Sequence, residues 1–168
     1  MAEAKREFHG FGPVFDRSSR ILILGSFPSV KSREQAFYYG HPQNRFWKVL
    51  AALLSAPVPE TIGEKKQLLL ENGIALWDVL ESCEIRGSSD ASIRGAVPVE
   101  IGRITGQAQI GAIFTNGSTA KRYYDRLLLP VTGRKAVLLP STSPANAAWT
   151  LSRLEERWGE LIRPHLYP

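Results

Sequence analysis

Continuous apolar runs bounded by glycine and polar residues are the main hydrophobic pattern of this chain. The segment 20–25 reads Arg-Ile-Leu-Ile-Leu-Gly and is followed by Ser-Phe-Pro-Ser. A run of this kind predicts a strand that is buried on both faces, as strands of parallel sheets are. Similar runs predict further strands at 73–78, 110–115 and 136–139.

Apolar residues at helical spacing follow these runs. One stripe consists of Phe46, Val49, Leu50, Leu53 and Leu54. We expect this helix to have Pro42 in its first turn, where proline is favoured, and to end before Pro57 and Pro59. Phe46 and Trp47 are interpreted as core residues of the helix. Further helices are predicted at 65–71, 97–105, 118–128 and 147–162.

The alternation of strands and helices predicts an α/β fold, a three-layer α/β/α sandwich with a mainly parallel central sheet. The length of 168 residues predicts a single domain over 1–168. In such folds the ligand site lies where loops leave the carboxyl ends of the strands. The candidate loops are 25–44, 78–93, 116–119 and 140–147.

The charge balance favours a nucleic acid as partner. Lys and Arg number 21 against 16 acidic residues, which gives a net charge of +5. One cysteine and three histidines offer no disulfide and no spacing suited to a zinc site. The start of the chain lacks a signal-peptide pattern, and no apolar run is long enough to span a membrane. We expect a cytoplasmic monomer without metal or cofactor.

The segment 25–47 is unusually rich in aromatic and amide side chains for a connection. Gly25 and Ser26 would let backbone N–H groups approach a base or a phosphate closely. Tyr38 and Tyr39 are candidates for stacking on an extruded base. Asn44 either helps to cap the following helix or holds a water molecule for attack on a sugar carbon.

The segment 139–146 places three hydroxyl side chains before a predicted helix. Its sequence is Leu-Pro-Ser-Thr-Ser-Pro-Ala-Asn. Hydroxyl groups and helix N–H groups at such a position can clamp a DNA phosphate. The alternative is an ordinary Ser or Thr helix cap.

Together these segments make a family resemblance visible. The chain resembles the uracil-DNA glycosylase superfamily, and most closely its hypoxanthine-DNA (deoxyinosine) glycosylase branch. The motifs that carry the resemblance, in order along the chain, are Gly12–Asp16, Gly25–Ser29, His41–Trp47, Trp77–Leu80, Gly87–Asp90 and Ser141–Asn146. Each motif alone is weak, but their order and spacing make the match strong.

The resemblance implies an enzyme that flips a deaminated base, preferentially hypoxanthine, out of DNA and hydrolyses its N-glycosidic bond with water. Phe27 stands where mismatch-specific uracil glycosylases carry a catalytic asparagine. The resemblance implies that Asn44 supplies the missing function. Asp78 either accepts a hydrogen bond from the base or is an acid at a strand end facing solvent.

The remaining site residues divide between the base and the DNA backbone. The expected base contacts are Gly25, Ser26, Phe27, Tyr39, His41 and Asp78. The expected DNA contacts are Ser29, Ser141, Ser143, Pro144, Ala145 and Asn146. For His41 a donor role and a purely structural role are both open, and for Asn146 a hydrogen bond to the widowed base competes with an exposed position at a helix start. The segment Gly87–Asp90 binds sugar or phosphate, or simply forms a turn and caps the next helix.

Three other functions compete with hypoxanthine excision. The same scaffold could excise uracil, because the shared motifs handle sugar and phosphate more than base identity. A non-catalytic sensor of damaged DNA would fit the absence of the usual asparagine at Phe27. A nucleotide-binding Rossmann domain is disfavoured, because Gly25–Ser29 lacks the required glycine spacing.

Overall fold

The computed structural model describes residues 3–166 and contains two sheets and seven α-helices in that range. The elements, in chain order, are β1 (Lys5–Phe8), β2 (Ile21–Gly25), α1 (Val30–Gln35), α2 (Phe46–Leu53), α3 (Ile62–Glu71), β3 (Ile74–Asp78), β4 (Leu80–Ile85), β5 (Arg94–Pro98), α4 (Gly102–Thr105), β6 (Ala112–Asn116), α5 (Ser118–Tyr123), α6 (Leu129–Thr132), β7 (Val137–Leu139) and α7 (Leu151–Leu166). The expected single domain includes residues 1, 2, 167 and 168, which lie outside the described residues.

The four predicted apolar strands form one parallel sheet in the order β3-β2-β6-β7. Every residue of β2 and β3 is buried, which is why these strands read as continuous apolar runs. The register pairs Gly25 with Asp78, so the ends of the two central strands lie side by side. The predicted α/β class with a mainly parallel sheet is confirmed.

A second, antiparallel sheet in the order β1-β4-β5 was not predicted. Strand β4 follows β3 after a single residue, with no glycine or proline to mark a turn, and β1 is short and largely exposed. The loop predicted at 78–93 is therefore wrong over 80–85. Pairing of β1 with β4 brings His9, whose N–H donates to the Glu81 carbonyl, beside the end of β3.

The helices cover the sheet and each other. Helix α3 contacts β3, α5 contacts β6 and β7, and α7 contacts both β7 and α2. Phe46 and Trp47 are buried, which confirms their assignment to the core. Helix α3 begins with a capping box in which Thr61 and Glu64 each accept the other's backbone N–H.

Several predicted helix boundaries are wrong. Helix α2 begins at Phe46, and Pro42 lies in a preceding turn closed by the hydrogen bond from the Asn44 N–H to the His41 carbonyl. The predicted helix at 97–105 is strand β5 followed by the single turn α4. The predicted bounds of the helix at 118–128 are instead confirmed, with α5 continued by a π-helical segment at Tyr124–Leu128.

The last helix begins at Leu151 rather than at 147. Thr150 caps it by accepting the Arg153 N–H, at 3.2 Å. Ser141 and Ser143 therefore do not cap this helix, and neither they nor Asn146 lie at a helix start. The segment 140–149 is instead a loop of turns.

Candidate functional site

A cavity of about 560 Å³ lies where loops leave the carboxyl ends of the four parallel strands. This is the position that the sheet order predicts for a ligand site. The predicted site residues that line it are Gly25, Ser26, Phe27, Ser29, Tyr39, His41, Asn44, Asp78, Ser141, Ser143, Pro144 and Ala145. Asn146 is the exception and lines an adjoining groove of about 740 Å³.

The Asn44 side chain is oriented by two hydrogen bonds to its oxygen. Its Oδ1 accepts the Phe46 backbone N–H and the Thr142 hydroxyl, both at 2.9 Å. These bonds use both lone pairs of the oxygen. The Nδ2 group donates to no described residue, and the side chain lines the cavity, so Asn44 presents a donor there.

Thr142 and Asn116 extend this network. Thr142 is one of the three hydroxyl residues in 139–146 and Asn116 opens the candidate loop 116–119, but the sequence predicted no site role for either residue. The Thr142 hydroxyl accepts from Asn116 Nδ2 at 3.0 Å, and the Thr142 N–H donates to Asn116 Oδ1 at 3.1 Å. Thr142 is fully buried. The end of β6 and the loop after β7 thus hold the amide of Asn44 at the start of α2.

Asp78 lies at the floor of the cavity with one oxygen paired and the other free. Its Oδ2 is 2.7 Å from His9 Nε2, and its Oδ1 accepts no hydrogen bond from the described residues. The residue is only 3% exposed, so the interpretation as an acid facing solvent is wrong. Its Oδ1 is therefore the acceptor that Asp78 offers to a ligand in the cavity.

Gly25 leaves room for these floor groups. A Cβ atom at this position would lie 2.3 Å from Asp78 Oδ1 and 2.8 Å from the Tyr39 hydroxyl oxygen. Both distances are far below ordinary van der Waals contact. The glycine is required by this close approach rather than by its backbone angles.

The two tyrosines do not offer the stacking faces that the sequence suggested. Tyr38 is 2% exposed and donates its hydroxyl to the Gly12 carbonyl within an aromatic cluster. The ring of Tyr39 is itself stacked on Phe46, with 4.1 Å between centroids. Its hydroxyl group is buried and makes no well-formed hydrogen bond to the described residues, and the nearby Asn116 side chain partly offsets the rise that burial causes in its pKa. Tyr39 therefore contributes a polar group to the cavity.

The rim of the cavity carries a second carboxylate, Asp90. The Ser26 hydroxyl donates to it, with 3.2 Å to each carboxylate oxygen. Burial raises the pKa of Asp90, and the hydrogen bond from Ser26 lowers it only in part. Asp90 also lines the adjoining groove, so it stands at the junction of the two spaces.

His41 has one ring nitrogen engaged and the other available. Its Nδ1 accepts the Gln43 N–H at 3.1 Å, which places the proton of the neutral ring on Nε2. The histidine thus stabilises its turn and still offers an Nε2–H donor beside the cavity. The structural and the donor interpretations are compatible.

Arg45, which the sequence analysis overlooked, fixes the loop after β7. Its guanidinium donates to the carbonyl oxygens of Thr142, Ser143, Asn146 and Trp149. The bonds to Ser143 and Asn146 measure 2.9 and 3.1 Å. The rigid five-donor fork of arginine suits this clamp.

The adjoining groove carries positive charge. Arg122, Arg157 and Trp149 line it together with Asn146, and the Arg153 guanidinium lies 4.2 Å from the Trp149 ring centroid. Cationic and aromatic side chains along a groove suit a nucleic acid strand. Within residues 3–166 no cluster of three or more metal-ligating side chains is present, and no helix is long and apolar enough to cross a membrane.

Comparison with known proteins gives consistent matches. The sequence profile of the Uracil DNA glycosylase superfamily matches residues 13–162. A curated Methanosarcina acetivorans protein named hypoxanthine DNA glycosylase is 35% identical over 159 residues, covering 92% of this chain and 97% of the relative. One of the same name from Methanosarcina barkeri is 31% identical over 157 residues, with the same coverage. A solution NMR structure of a candidate uracil DNA glycosylase from M. acetivorans is 31% identical, has a TM-score of 0.81, and the match covers 98% of this chain and 100% of that one.

Proposed function

Because the chain belongs to the uracil DNA glycosylase superfamily and is a DNA glycosylase, we propose that it excises hypoxanthine from DNA. Two relatives that match nearly the whole chain are named for this activity. The observation that carries the proposal is the free Oδ1 of Asp78 at the cavity floor. It suits a base whose ring nitrogen bears a hydrogen, as N1 of hypoxanthine does.

Excision begins with extrusion of the nucleotide into the cavity. The glycosidic bond cannot be reached inside the duplex, and unstacking costs a few kcal/mol, least for a mispaired base. The exposed tip Pro144–Ala145 next to Asn146 is suited to enter the space that the nucleotide vacates. Ser141, Ser143 and Ser29 all line the cavity and are suited to hold phosphates.

Cleavage of the C1′–N bond leaves positive charge on the sugar and negative charge on the departing base. Donors at the base and a placed water molecule lower this barrier without a covalent intermediate. Asn44 Nδ2 holds the water by donating to its oxygen, since Oδ1 is already occupied. As the oxygen bonds to C1′, Asp90 is positioned at the rim to take up the water's proton.

Residues on several sides of the cavity contact the base. Asp78 accepts from its ring N–H, and the free Nε2–H of His41 is available to the leaving base or to a phosphate. The backbone at Gly25 and Ser26 approaches the base closely, and Phe27 contributes an aromatic wall. The His41 donor stabilises the negative charge that develops on the base, whereas Asp78 and Phe27 orient the base for cleavage.

An excision assay on matched oligonucleotides tests the proposal. Duplexes that differ only in carrying hypoxanthine, xanthine, uracil or adenine at one position are incubated with excess enzyme, and abasic sites are revealed by alkaline strand cleavage. We expect cleavage fastest with hypoxanthine and none with adenine. Preference for uracil would replace the proposed substrate, and lesion binding without abasic product would contradict excision altogether.

A further inference from the structure

His9 is a buried histidine that lies outside the cavity lining and is hydrogen-bonded to one lining residue, Asp78. It is 1% exposed. Its Nε2 is 2.7 Å from Asp78 Oδ2, and its Nδ1 is 2.8 Å from the Phe11 carbonyl oxygen. The carbonyl oxygen can only accept, so Nδ1 must carry a hydrogen.

Both ring nitrogens therefore donate to oxygen atoms when His9 is an imidazolium and Asp78 is a carboxylate. Burial lowers the pKa of His9, but the hydrogen bond and the charge of Asp78 outweigh it, and the pKa is raised above its ordinary value. A paired buried charge is stable where an isolated one is not. The pair as a whole is neutral.

Among the described residues, Asp78 is the charged side chain that is hydrogen-bonded to His9. Glu81, on the neighbouring strand β4, adds a weaker attraction, and the Tyr38 ring packs 5.7 Å away without a hydrogen bond. The positive charge of Arg103 partly offsets the rise that burial causes in the pKa of Tyr38. The negative charges of Asp78 and Asp90 repel each other, which adds to the rise that burial causes in the pKa of Asp90. Among the described residues, only Asp78 and the Phe11 carbonyl are hydrogen-bonded to the ring.

Next to Asp78 Oδ1 lies a second polar atom, the Tyr39 hydroxyl oxygen, which makes no well-formed hydrogen bond to the described residues and has the Asn116 side chain nearby. Both atoms face the space that a Cβ at Gly25 would fill. Tyr39 has a φ of 53°, in the left-handed region that non-glycine residues rarely adopt. Its ring is fixed against Phe46, so the hydroxyl position is determined by packing.

We propose that His9 is a positioning residue that fixes Asp78 as an ionised acceptor beside the Tyr39 hydroxyl, so that the cavity floor reads a lactam edge. Asp78 Oδ1 accepts the ring N–H of the base, and Tyr39 donates to the adjacent carbonyl oxygen. Hypoxanthine presents this pair as N1–H and O6. The inference rests on the proposed function, in which Asp78 contacts the base.

This arrangement discriminates by leaving polar groups unpaired when the wrong base enters. In the same orientation adenine turns the lone pair of N1 toward the carboxylate, and neither atom is a donor. Sites built on buried hydrogen bonds reject analogues that lack them strongly. The neutral charge of the His9–Asp78 pair also avoids repelling the base as it leaves with negative charge.

Two substitutions of His9 separate its two hydrogen bonds. His9→Gln can still donate to Asp78 but carries no charge, whereas His9→Asn reaches only the Phe11 carbonyl. Each variant is assayed under single-turnover conditions on hypoxanthine and on 2′-deoxynebularine, a purine nucleoside without the 6-oxygen and without the hydrogen on N1. We expect the preference for hypoxanthine to fall by about 10- to 100-fold in His9→Asn and less in His9→Gln.

The pH profile provides a readout that a purely structural role would not move. The wild-type rate on hypoxanthine is expected to decline on the alkaline side as His9 loses its proton, and this decline is expected to shrink in His9→Gln. The same substrate is used for both proteins, so ionisation of the base itself cancels. An unchanged substrate preference in His9→Asn, or the same alkaline decline in both proteins, overturns the inference.

Tyr39→Phe keeps the test decisive if the His9 variants do not fold. Removing this hydroxyl, which makes no well-formed hydrogen bond within residues 3–166, is expected to change the melting temperature little. In this variant the preference for hypoxanthine over deoxynebularine should fall by about tenfold. An unaltered preference contradicts the proposed recognition of the lactam edge by Tyr39. If wild-type enzyme fails to excise hypoxanthine at all, the proposed function fails instead.

Discussion

Replacing Thr142 with valine tests whether the orientation of Asn44 matters for excision. Valine has nearly the shape of threonine but lacks the hydroxyl that donates to Asn44 Oδ1 at 2.9 Å and accepts from Asn116 Nδ2 at 3.0 Å. The Asn44 oxygen then keeps only the bond from the Phe46 N–H, at 2.9 Å. The amide becomes free to turn away from the water that it is proposed to hold.

The loss of stability expected for Thr142→Val comes from the polar groups that the substitution leaves without partners. Asn116 Nδ2 loses its one described hydrogen bond, and Asn44 Oδ1 loses one of two. A polar group left unsatisfied in a buried site costs about 1–3 kcal/mol, with the larger share at Asn116. At about 2–4 °C per kcal/mol for a chain of this size, the melting temperature should fall by roughly 2–12 °C. A displacement of about 1 Å at Asn44 is expected to slow excision by about 100-fold.

Thr142→Ser is the matched control, because it keeps the hydroxyl and removes only a methyl group. Both variants are compared with wild type by thermal unfolding and by single-turnover excision, which isolates the chemical step from product release. The serine variant should retain excision within a few-fold. Equal excision rates for the valine and serine variants would refute the role of the Thr142 hydroxyl.

Three further predictions follow from the same geometry. Gly25→Ala should abolish most excision, because its Cβ would lie 2.3 Å from Asp78 Oδ1 and 2.8 Å from the Tyr39 hydroxyl oxygen. Gly102→Ala is the control and should be neutral, because no atom lies within 4 Å of the added Cβ. Similar excision rates for the two variants would contradict the close approach at Gly25. Arg45→Lys should slow excision by about tenfold more on duplex than on single-stranded DNA, because lysine cannot hold the four carbonyls of the loop. Equal losses on both substrates would show that this loop has no part in base extrusion. The raised pKa of His9 should add stability that is complete below about pH 6.5 and is lost as the pH rises through the folded value; urea unfolding of wild type and His9→Gln at about pH 6 and about pH 9 should show this slope only in the wild type.

The sequence predicted those parts of the fold in which local pattern and tertiary environment agree. Strands β2 and β3 are buried on both faces, and their continuous apolar runs predict this directly. The helix start near Pro42 was wrong because proline is equally suited to the turn that precedes α2. The antiparallel sheet was missed because β1 and β5 are mostly exposed and owe their structure to pairing with β4.

The candidate site was predicted where the family motifs contain it. Twelve of the thirteen predicted site residues line the central cavity, and Asn146 lines the groove beside it. The supporting groups were missed because they act across the fold. His9 is 69 residues from Asp78, and Arg45 is about a hundred residues from the loop that it clamps. No spacing rule in a single sequence connects such pairs.

The most direct test of the account is single-turnover excision of hypoxanthine from a defined duplex by wild-type protein and by Asn44→Ala. Circular dichroism and DNA-binding measurements on both proteins control for folding and affinity. The account predicts alkali-labile abasic product with wild type, and a rate at least about 100-fold lower in the variant with nearly unchanged binding. No abasic product with wild type, or a variant rate within twofold of wild type, would contradict it.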